Sequence, residues 1–477
     1  MNRRGFTRVR KTAALLAAFA AIVPMATVGL AAKGADPAVE IGVALSKPAT
    51  SAILAELGKY GTVHDVLGEI NSVAMQGKRS AISSIRALSF VSAAAEDTGA
   101  TGAPIDTVAA QDFNGGSSMW DMDAVNVTDV GQGRTVSYDG SGAYVAVLDS
   151  GLTDQWRQYF PQERIATQYA RSFNGASTVG GGEPTNSWEH DQNSHGTHVT
   201  SSILGYSLNG QQITGVAPKA TVIPVKVLNQ NGSNWWTAIS QGIVYAGNLK
   251  AGPLAAYPFI INMSIGGTQG SPVLERALNY AISKGAIIVV AAGNNGTTGM
   301  TYPGAYPQVI SVANAGFARQ WQAGSDGDIW NWWYADDVAE NNVNEFFISG
   351  SSGRELSGQD LDVTGPGVQI YGPYQVQSGS PSYFFLNGTS MATPHVAGIV
   401  ALMSQKNPRL TQTQVESILE SAAARLPMNS GCRFIKTNSA GDTLNRCWGP
   451  GNDPAGQDAD GEGFLTADNA LTLTPRR

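Results

Sequence analysis

Two textures of hydrophobic pattern divide the chain. Residues 38–97 carry short alternating and helical runs. The strand-like VEIGVAL leads through Pro48 to the helical ATSAILAELGKYG, and the apolar run VLGEINSVAM precedes the helical SAISSIRAL and a last strand, FVSAAAED. Apolar residues at every second position mark a half-buried strand, and at every third or fourth an amphipathic helix. The order strand–helix–strand–helix–strand therefore predicts a small unit of sheet packed on helices. Residues 98–112, rich in Gly, Ala and Thr, read as a linker. From 113 to 477 near-continuous apolar runs alternate with helical stretches: AYVAVLD (143–149), TVIPVKVL (221–228), FIINMSI (259–265), AIIVVAA (286–292) and VISVANA (309–315). Runs apolar on both faces, separated by crossover lengths, predict an α/β fold: a doubly wound, mostly parallel sheet with helices on both faces. Ligands of such sheets sit beyond the carboxyl ends of the strands. One stretch, 316–350, holds Trp321, Trp330, Trp332 and Trp333 among acids without a period, and reads as a long surface excursion.

Composition narrows the class. Only 14% of the 477 residues are charged, well below the usual share of about a quarter. Through residue 109, Lys and Arg number 11 and Asp and Glu 8, a balance of +3; from 110 onward they number 19 and 29, a balance of −10. An acidic body without a basic stripe excludes nucleic acid as a partner. The N-terminus runs from the basic MNRRGFTRVRK through AALLAAFAAIV to small residues at Ala32, the form of a secretory signal peptide over 1–32. Its apolar run is too short to span a bilayer and no Cys stands near its exit, so no membrane anchor is expected. Arg3 and Arg4 leave the Sec and twin-arginine routes both open; either exports the protein. In an exported chain the only two cysteines, Cys432 and Cys447, are expected to form one disulfide.

Three segments carry candidate chemistry. Asp149 ends the apolar strand in VLDSG, where an unpaired carboxylate would be costly; alone it reads as well as a turn cap. His195 and His198 stand in HGTHV, but zinc proteases place a Glu beside the first His and Gly196 stands there instead. Ser390 lies in NGTSMATPHVAG, where Gly388 permits a sharp turn into a helix. Free N–H groups at that helix start favour developing negative charge; a plain N-cap is the bland alternative.

Taken together, VLDSG, HGTHV and GTSMATPHVAG resemble the three signature segments of the subtilisin-like serine proteases, from about residue 115 to 472. The order Asp…His…Ser differs from the Ser…Asp/Glu…His of α/β-hydrolases. The resemblance implies a secreted serine endopeptidase with Asp149, His195 and Ser390 as catalytic triad. His195 is the general base, Asp149 its orienting partner, and no cofactor takes part in catalysis. It implies Asn294, in AAGNNG, as the oxyanion donor beside the Ser390 N–H. Ser264-Ile265-Gly266 becomes an edge that pairs with an extended peptide. The first pocket is bounded by that edge, Ala292, Gly293 and the stretch from Thr301. No residue there is charged, so large apolar or aromatic residues are expected before the cleaved bond. Residues 38–97 resemble the family's propeptide, a ferredoxin-like α+β module that assists folding and inhibits, removed by autocleavage within 98–112. The expected partners are protein or peptide substrates and the chain's own propeptide, with the enzyme a monomer. A narrow processing protease, a catalytically silent binding protein of the same fold, and a metalloprotease stay as alternatives.

The resemblance also has gaps. After Asp149 the family's calcium-binding acid is missing or displaced, although Asn209 stands in the corresponding loop after the His195 helix. Asp458, Asp460 and Glu462 form half a calcium loop without its closing Glu; a solvated acidic turn is the alternative. Structural calcium is thus an expectation without secure ligands.

Overall fold

The structure, a computed structural model, describes residues 36–102, 106–109, 119–129, 134–173, 187–208, 210–325, 327–374 and 382–477. The expected signal peptide, Asn209 and, within and after the expected linker, residues 103–105 and 110–118 lie outside these.

Alternation shapes the N-terminal unit. In β1 (Ala38–Leu45) the residues Ile41, Val43 and Leu45 share one face and pack on Ile53 and Leu57 of α1 (Ser51–Leu57). Thr50 caps α1 by accepting Ile53 N–H at 3.3 Å. β2 (Gly61–Leu67) and β3 (Ser72–Lys78) form a hairpin, followed by α2 (Ala81–Arg86) and β4 (Val91–Glu96), in an antiparallel sheet of order β2-β3-β1-β4. The observed order is βαββαβ, the ferredoxin-like arrangement. The run VLGEINSVAM is thus two strand ends and a turn, not one strand. Apolar residues on both sides conceal the turn, which Asn71 closes at φ 46°.

Within the stretch expected as a linker, two described segments are paired backbone. β5 (Ala100–Thr101) and β6 (Asp106–Ala109) lie in separate small sheets.

The large unit follows as α3 (Trp120–Ala124), β7 (Tyr144–Asp149), α4 (Trp156–Tyr159), β8 (Arg171–Ser172) and α5 (His195–Leu204). A hairpin of β9 (Gly205–Leu208) and β10 (Gln211–Thr214) leads to β11 (Thr221–Lys226), β12 (Ser233–Asn234) and α6 (Trp236–Ala251). Then come β13 (Phe259–Met263), α7 (Pro272–Ser283), β14 (Ile287–Ala291), β15 (Ile310–Phe317), α8 (Trp332–Ala335), β16 (Phe346–Ile348), β17 (Val363–Pro366), β18 (Ile370–Pro373) and β19 (Tyr383–Asn387). The chain ends with α9 (Thr389–Lys406), α10 (Gln412–Ala423), the hairpin β20 (Gly431–Lys436)–β21 (Thr443–Trp448) and α11 (Ala467–Leu473). The main sheet has the order β16-β15-β14-β13-β7-β11-β8, with β17 also on β15. Its pairs are parallel except β15–β16. The two-residue period splits each strand between two cores: Val145 and Val147 pack toward α5 and α9, Ala146 and Leu148 toward α6 and α7.

Two further expectations change. Residues 316–350 are not a plain surface excursion, because they carry aromatic side chains into the core. Trp321, Trp332 and Trp333 are buried, and Trp332 stacks on Phe317 and Phe385. The aromatic rings find partners on distant strands rather than in a local period. The cysteines bridge a hairpin rather than a loop, Cys432 bonding Cys447 across β20 and β21.

The N-terminal unit docks on α6 and α7. Arg276 of α7 donates from Nη1 to the carbonyls of Leu45 (2.8 Å), Asn71 (3.0 Å) and Ile70 (3.1 Å), and from Nη2 to Ser92 Oγ (2.7 Å). Asp97, just past β4, accepts the N–H groups of Trp236 (2.7 Å) and Thr237 (2.8 Å), capping α6.

Candidate active site

The sheet brings the three predicted side chains to its carboxyl end. Asp149 is the last residue of the central strand β7, His195 the first of α5 and Ser390 the second of α9. His195 Nδ1 lies 2.8 Å from Asp149 Oδ1, with both side chains fully buried. Asp149 Oδ1 also accepts the Ser150 N–H at 2.7 Å, so orienting and turn-capping are done by one oxygen. Ser390 Oγ donates to the Ser264 carbonyl at 3.1 Å, while His195 Nε2 is buried without a partner. Gly388 enters α9 at φ 147°, and a Cβ there would stand 3.2 Å from Asn294 Nδ2.

Asn294 is half-buried, and its Oδ1 accepts from Thr389 N–H (3.0 Å) and Thr389 Oγ (3.1 Å). That grip fixes the amide plane and leaves Nδ2 as the outward donor. Thr389 also accepts the Gly293 N–H at 3.1 Å.

His195 and His198 do not converge. His198 Nε2 donates to the Ile370 carbonyl at 3.1 Å, and burial, with His195 nearby, pushes its pKa down to about 3. It is a neutral core histidine.

Two supports escaped the sequence reading. Asp191 is buried and caps α5, accepting the N–H of Ser194 (2.7 Å) and of Thr197 (3.3 Å). Burial raises its pKa, with Lys226 opposing. Lys226 is itself fully buried in β11 and donates to the Ser150 carbonyl at 2.7 Å. A lysine inside the apolar run TVIPVKVL was the available signal.

The predicted pocket residues are stitched together. Gly267 and Tyr302 exchange backbone bonds at 2.9 Å, and Thr301 N–H donates to Ala292 O at 2.8 Å. Thr301 fills the space between the two walls. A Cβ on Gly266 would stand 2.3 Å from its Oγ, and one on Gly293 2.2 Å. Only glycine fits at both positions.

Residues 100–102 run into this cleft. Thr101 and Gly266 exchange bonds at 3.0 and 2.9 Å, and Gly102 N–H donates to Gly232 O at 2.9 Å. β5 pairs antiparallel with β12 on its other side. A Cβ on Gly102 would lie 3.3 Å from His195 Nδ1. On the far side β6 pairs with β19, whose last residue, Asn387, is partnered by Asp106.

The calcium candidates fare differently. Asp458 Oδ1 accepts the N–H groups of Asp460 (2.9 Å) and Gly461 (3.1 Å). Asp460 Oδ2 accepts those of Met428 and Asn429, both at 2.9 Å. These carboxylates hold the turn together. Glu462 donates its N–H to the Asp362 carbonyl. Among the described residues, clusters of three acids form elsewhere, at Asp123, Asp129 and Asp337 and at Asp362, Glu416 and Glu420.

The Subtilase family model matches residues 140–451. The chain is 36% identical over 287 residues to the thermostable alkaline protease of Halalkalibacterium halodurans, covering 60% of this chain and 63% of that protein, less than two thirds of its length. It is 34% identical over 287 residues to Subtilisin Savinase of Lederbergia lenta, covering 60% of this chain and 85% of that one. Among solved structures, fervidolysin from Fervidobacterium pennivorans, described as a keratinolytic enzyme related to subtilisin, aligns with a TM-score of 0.63. That alignment covers 94% of this chain and 62% of that chain at 21% identity, a likeness of fold alone. The architecture is that of an α/β protein with a parallel sheet that presents Asp149, His195 and Ser390 at its carboxyl end. The chain belongs to the subtilase family. No helix among the described residues is long and apolar enough to cross a membrane.

Proposed function

We propose that the chain is an exported serine endopeptidase that cleaves proteins through an acyl-enzyme and is activated by removing its own N-terminal unit. The observation that carries this is the extended segment 100–102, paired on both sides and directed past His195 at the start of α5. A substrate peptide takes the same track. Its N–H two residues beyond the one paired with Gly266 is aimed, by the two-residue period, at the Ser264 carbonyl. That N–H displaces the Ser390 hydroxyl, which turns to His195 Nε2. His195 takes the proton as Ser390 Oγ attacks the carbonyl carbon, and Asp149 stabilises the resulting imidazolium. The oxyanion is received by Asn294 Nδ2 and the Ser390 N–H. The imidazolium then protonates the leaving amine, and water releases the acyl group by the reverse path.

Processing falls between Gly102 and Asp106, within the wider 98–112 range, because Thr101 pairs with Gly266 before it and Asp106 pairs with Asn387, three residues from Ser390, after it. The wedge of Thr301 between Gly266 and Gly293 supports a smaller uncharged side chain before the cleaved bond than the large aromatic ones that the lack of charge alone implied.

The test is fluorophosphonate labelling with intact mass of the purified chain and its Ser390→Ala form. Labelled wild type lacking 36–102, and an unlabelled, full-length Ser390→Ala, are expected. Unlabelled wild type that keeps the unit overturns the proposal.

A further inference from the structure

Far from the triad, a cluster of carboxylates stands without a counter-charge. Asp362, which leads into β17, is 2% exposed. Its Oδ2 accepts from Ser311 N–H and Ser311 Oγ, both at 2.7 Å. Its Oδ1 is buried with no hydrogen-bond partner. Glu416 and Glu420 stand one turn apart on α10, half-buried at the margin of the face that carries Val415 and Leu419 into the core. One oxygen of each of the three acids lies within 4.8 Å of the others. Asp360 and Glu462 add negative potential around them. Among the described residues no Lys, Arg or His pairs with the three.

A buried carboxylate oxygen without a partner is costly, and two further acids beside the same side chain make it more so. Burial and then Glu416 push the Asp362 pKa up to about 8, while burial and then Glu420 push Glu416 up to about 7. Hydrogen bonds from Ser311 already satisfy the other Asp362 oxygen, so the remaining need is for positive charge. The donors are all hard oxygens, which excludes a site built for zinc or copper. Calcium binds such oxygens at about 2.3–2.6 Å. Ligands of one such ion therefore lie at most about 5 Å apart, and one oxygen from each of the three acids lies within 4.8 Å of the others.

We propose that Asp362, Glu416 and Glu420 bind one calcium ion, which ties α10 to the start of β17 and to the turn carrying Glu462. The acid loop at Asp458–Glu462 is then the neighbour of the site and not its core. Asp458 and Asp460 spend oxygens on backbone N–H groups, and only Glu462 reaches the rim.

The experiment uses the full chain carrying Ser390→Ala, which prevents self-digestion. The protein is stripped with a chelator, reloaded with calcium, freed of excess by gel filtration, and its bound calcium counted by elemental mass spectrometry. The same count is made for Glu416→Gln with Glu420→Gln, and for Asp362→Asn. The expected result is one ion fewer per chain in each variant. The double variant is also expected to lose part of the calcium-dependent rise in Tm. In chelator its Tm should match or exceed the parent's, because the repulsion has gone. A merely structural role for the two glutamates predicts the reverse, a lower Tm in chelator. An unchanged calcium count in the double variant, whatever its Tm, overturns the proposal and leaves a carboxyl group sharing a proton as the explanation.

Discussion

Ser390 and Ser264 exchange hydrogen bonds. Ser390 Oγ donates to the Ser264 carbonyl at 3.1 Å, and Ser264 Oγ donates to the Ser390 carbonyl at 2.8 Å. Asn262 Nδ2 completes the set by donating to Ser264 Oγ at 3.1 Å. The segment at Ser264 and the start of α9 are therefore one hydrogen-bonded unit. Ser264→Ala keeps the edge carbonyl but leaves the buried Asn262 amide and the Ser390 carbonyl unsatisfied. A loss of about 1–3 kcal/mol is expected. Denaturant unfolding in the Ser390→Ala background checks it, since the accepting group at 390 is main chain. An unchanged midpoint would show that other groups or water take over both bonds.

Asn294 presents its amide because Thr389 holds its carbonyl oxygen. Asn294→Ala removes the donor and should lower kcat by about 10²–10³-fold with little change in KM, the magnitude measured for the equivalent donor in a subtilisin. Thr389→Val should lower kcat less, because the backbone N–H at 389 still grips Asn294. Steady-state kinetics on one peptide substrate separates the two. Equal losses would mean that Thr389 contributes something beyond that grip.

The three residues proposed as the triad could be placed from the chain because each lies in a short segment whose local physics is distinctive: a carboxylate closing an apolar strand, a histidine and a serine each opening a helix. The supports could not be read in this way. Lys226 serves the Ser150 carbonyl across 76 positions of sequence, and Asp191 reads as an ordinary polar residue until α5 is seen to start above it. The tryptophans of 316–350 show no period because Trp332 packs on Phe317 of β15 and on Phe385 of β19, not on neighbours one turn or two residues away. The parallel sheet was legible for the opposite reason. Strands buried on both faces must be apolar throughout, whatever they pair with.

Thr301 sets how deep the first pocket is. Its Oγ is buried without a partner, so removing the side chain breaks no hydrogen bond while clearing the space between Gly266 and Gly293. Thr301→Gly should raise kcat/KM for peptides with Phe before the cleaved bond relative to Ala by roughly ten-fold or more. A peptide library digested by both forms checks this. A ratio that does not move would place the specificity elsewhere in the cleft.

The N-terminal unit carries a pH-dependent element of its own. His64 of β2 lies with Nδ1 3.5 Å from Asp65 and Nε2 2.7 Å from Glu40, which is buried on β1. Asp65 and Glu40 together raise the His64 pKa from 6.5 to about 9. A histidine whose pKa is higher folded than unfolded stabilises the fold fully below the unfolded value. It loses that contribution as pH climbs through the folded one. The unit should therefore be firmest below about pH 6.5 and loosen progressively toward pH 9 and above. Hydrogen exchange in the full-length Ser390→Ala chain, corrected for intrinsic rates, should show the opening free energy of β1–β3 amides falling over this range. His64→Gln should flatten that fall. The same slope in His64→Gln as in the parent would assign the pH dependence to other groups, and no slope in either would remove the device altogether.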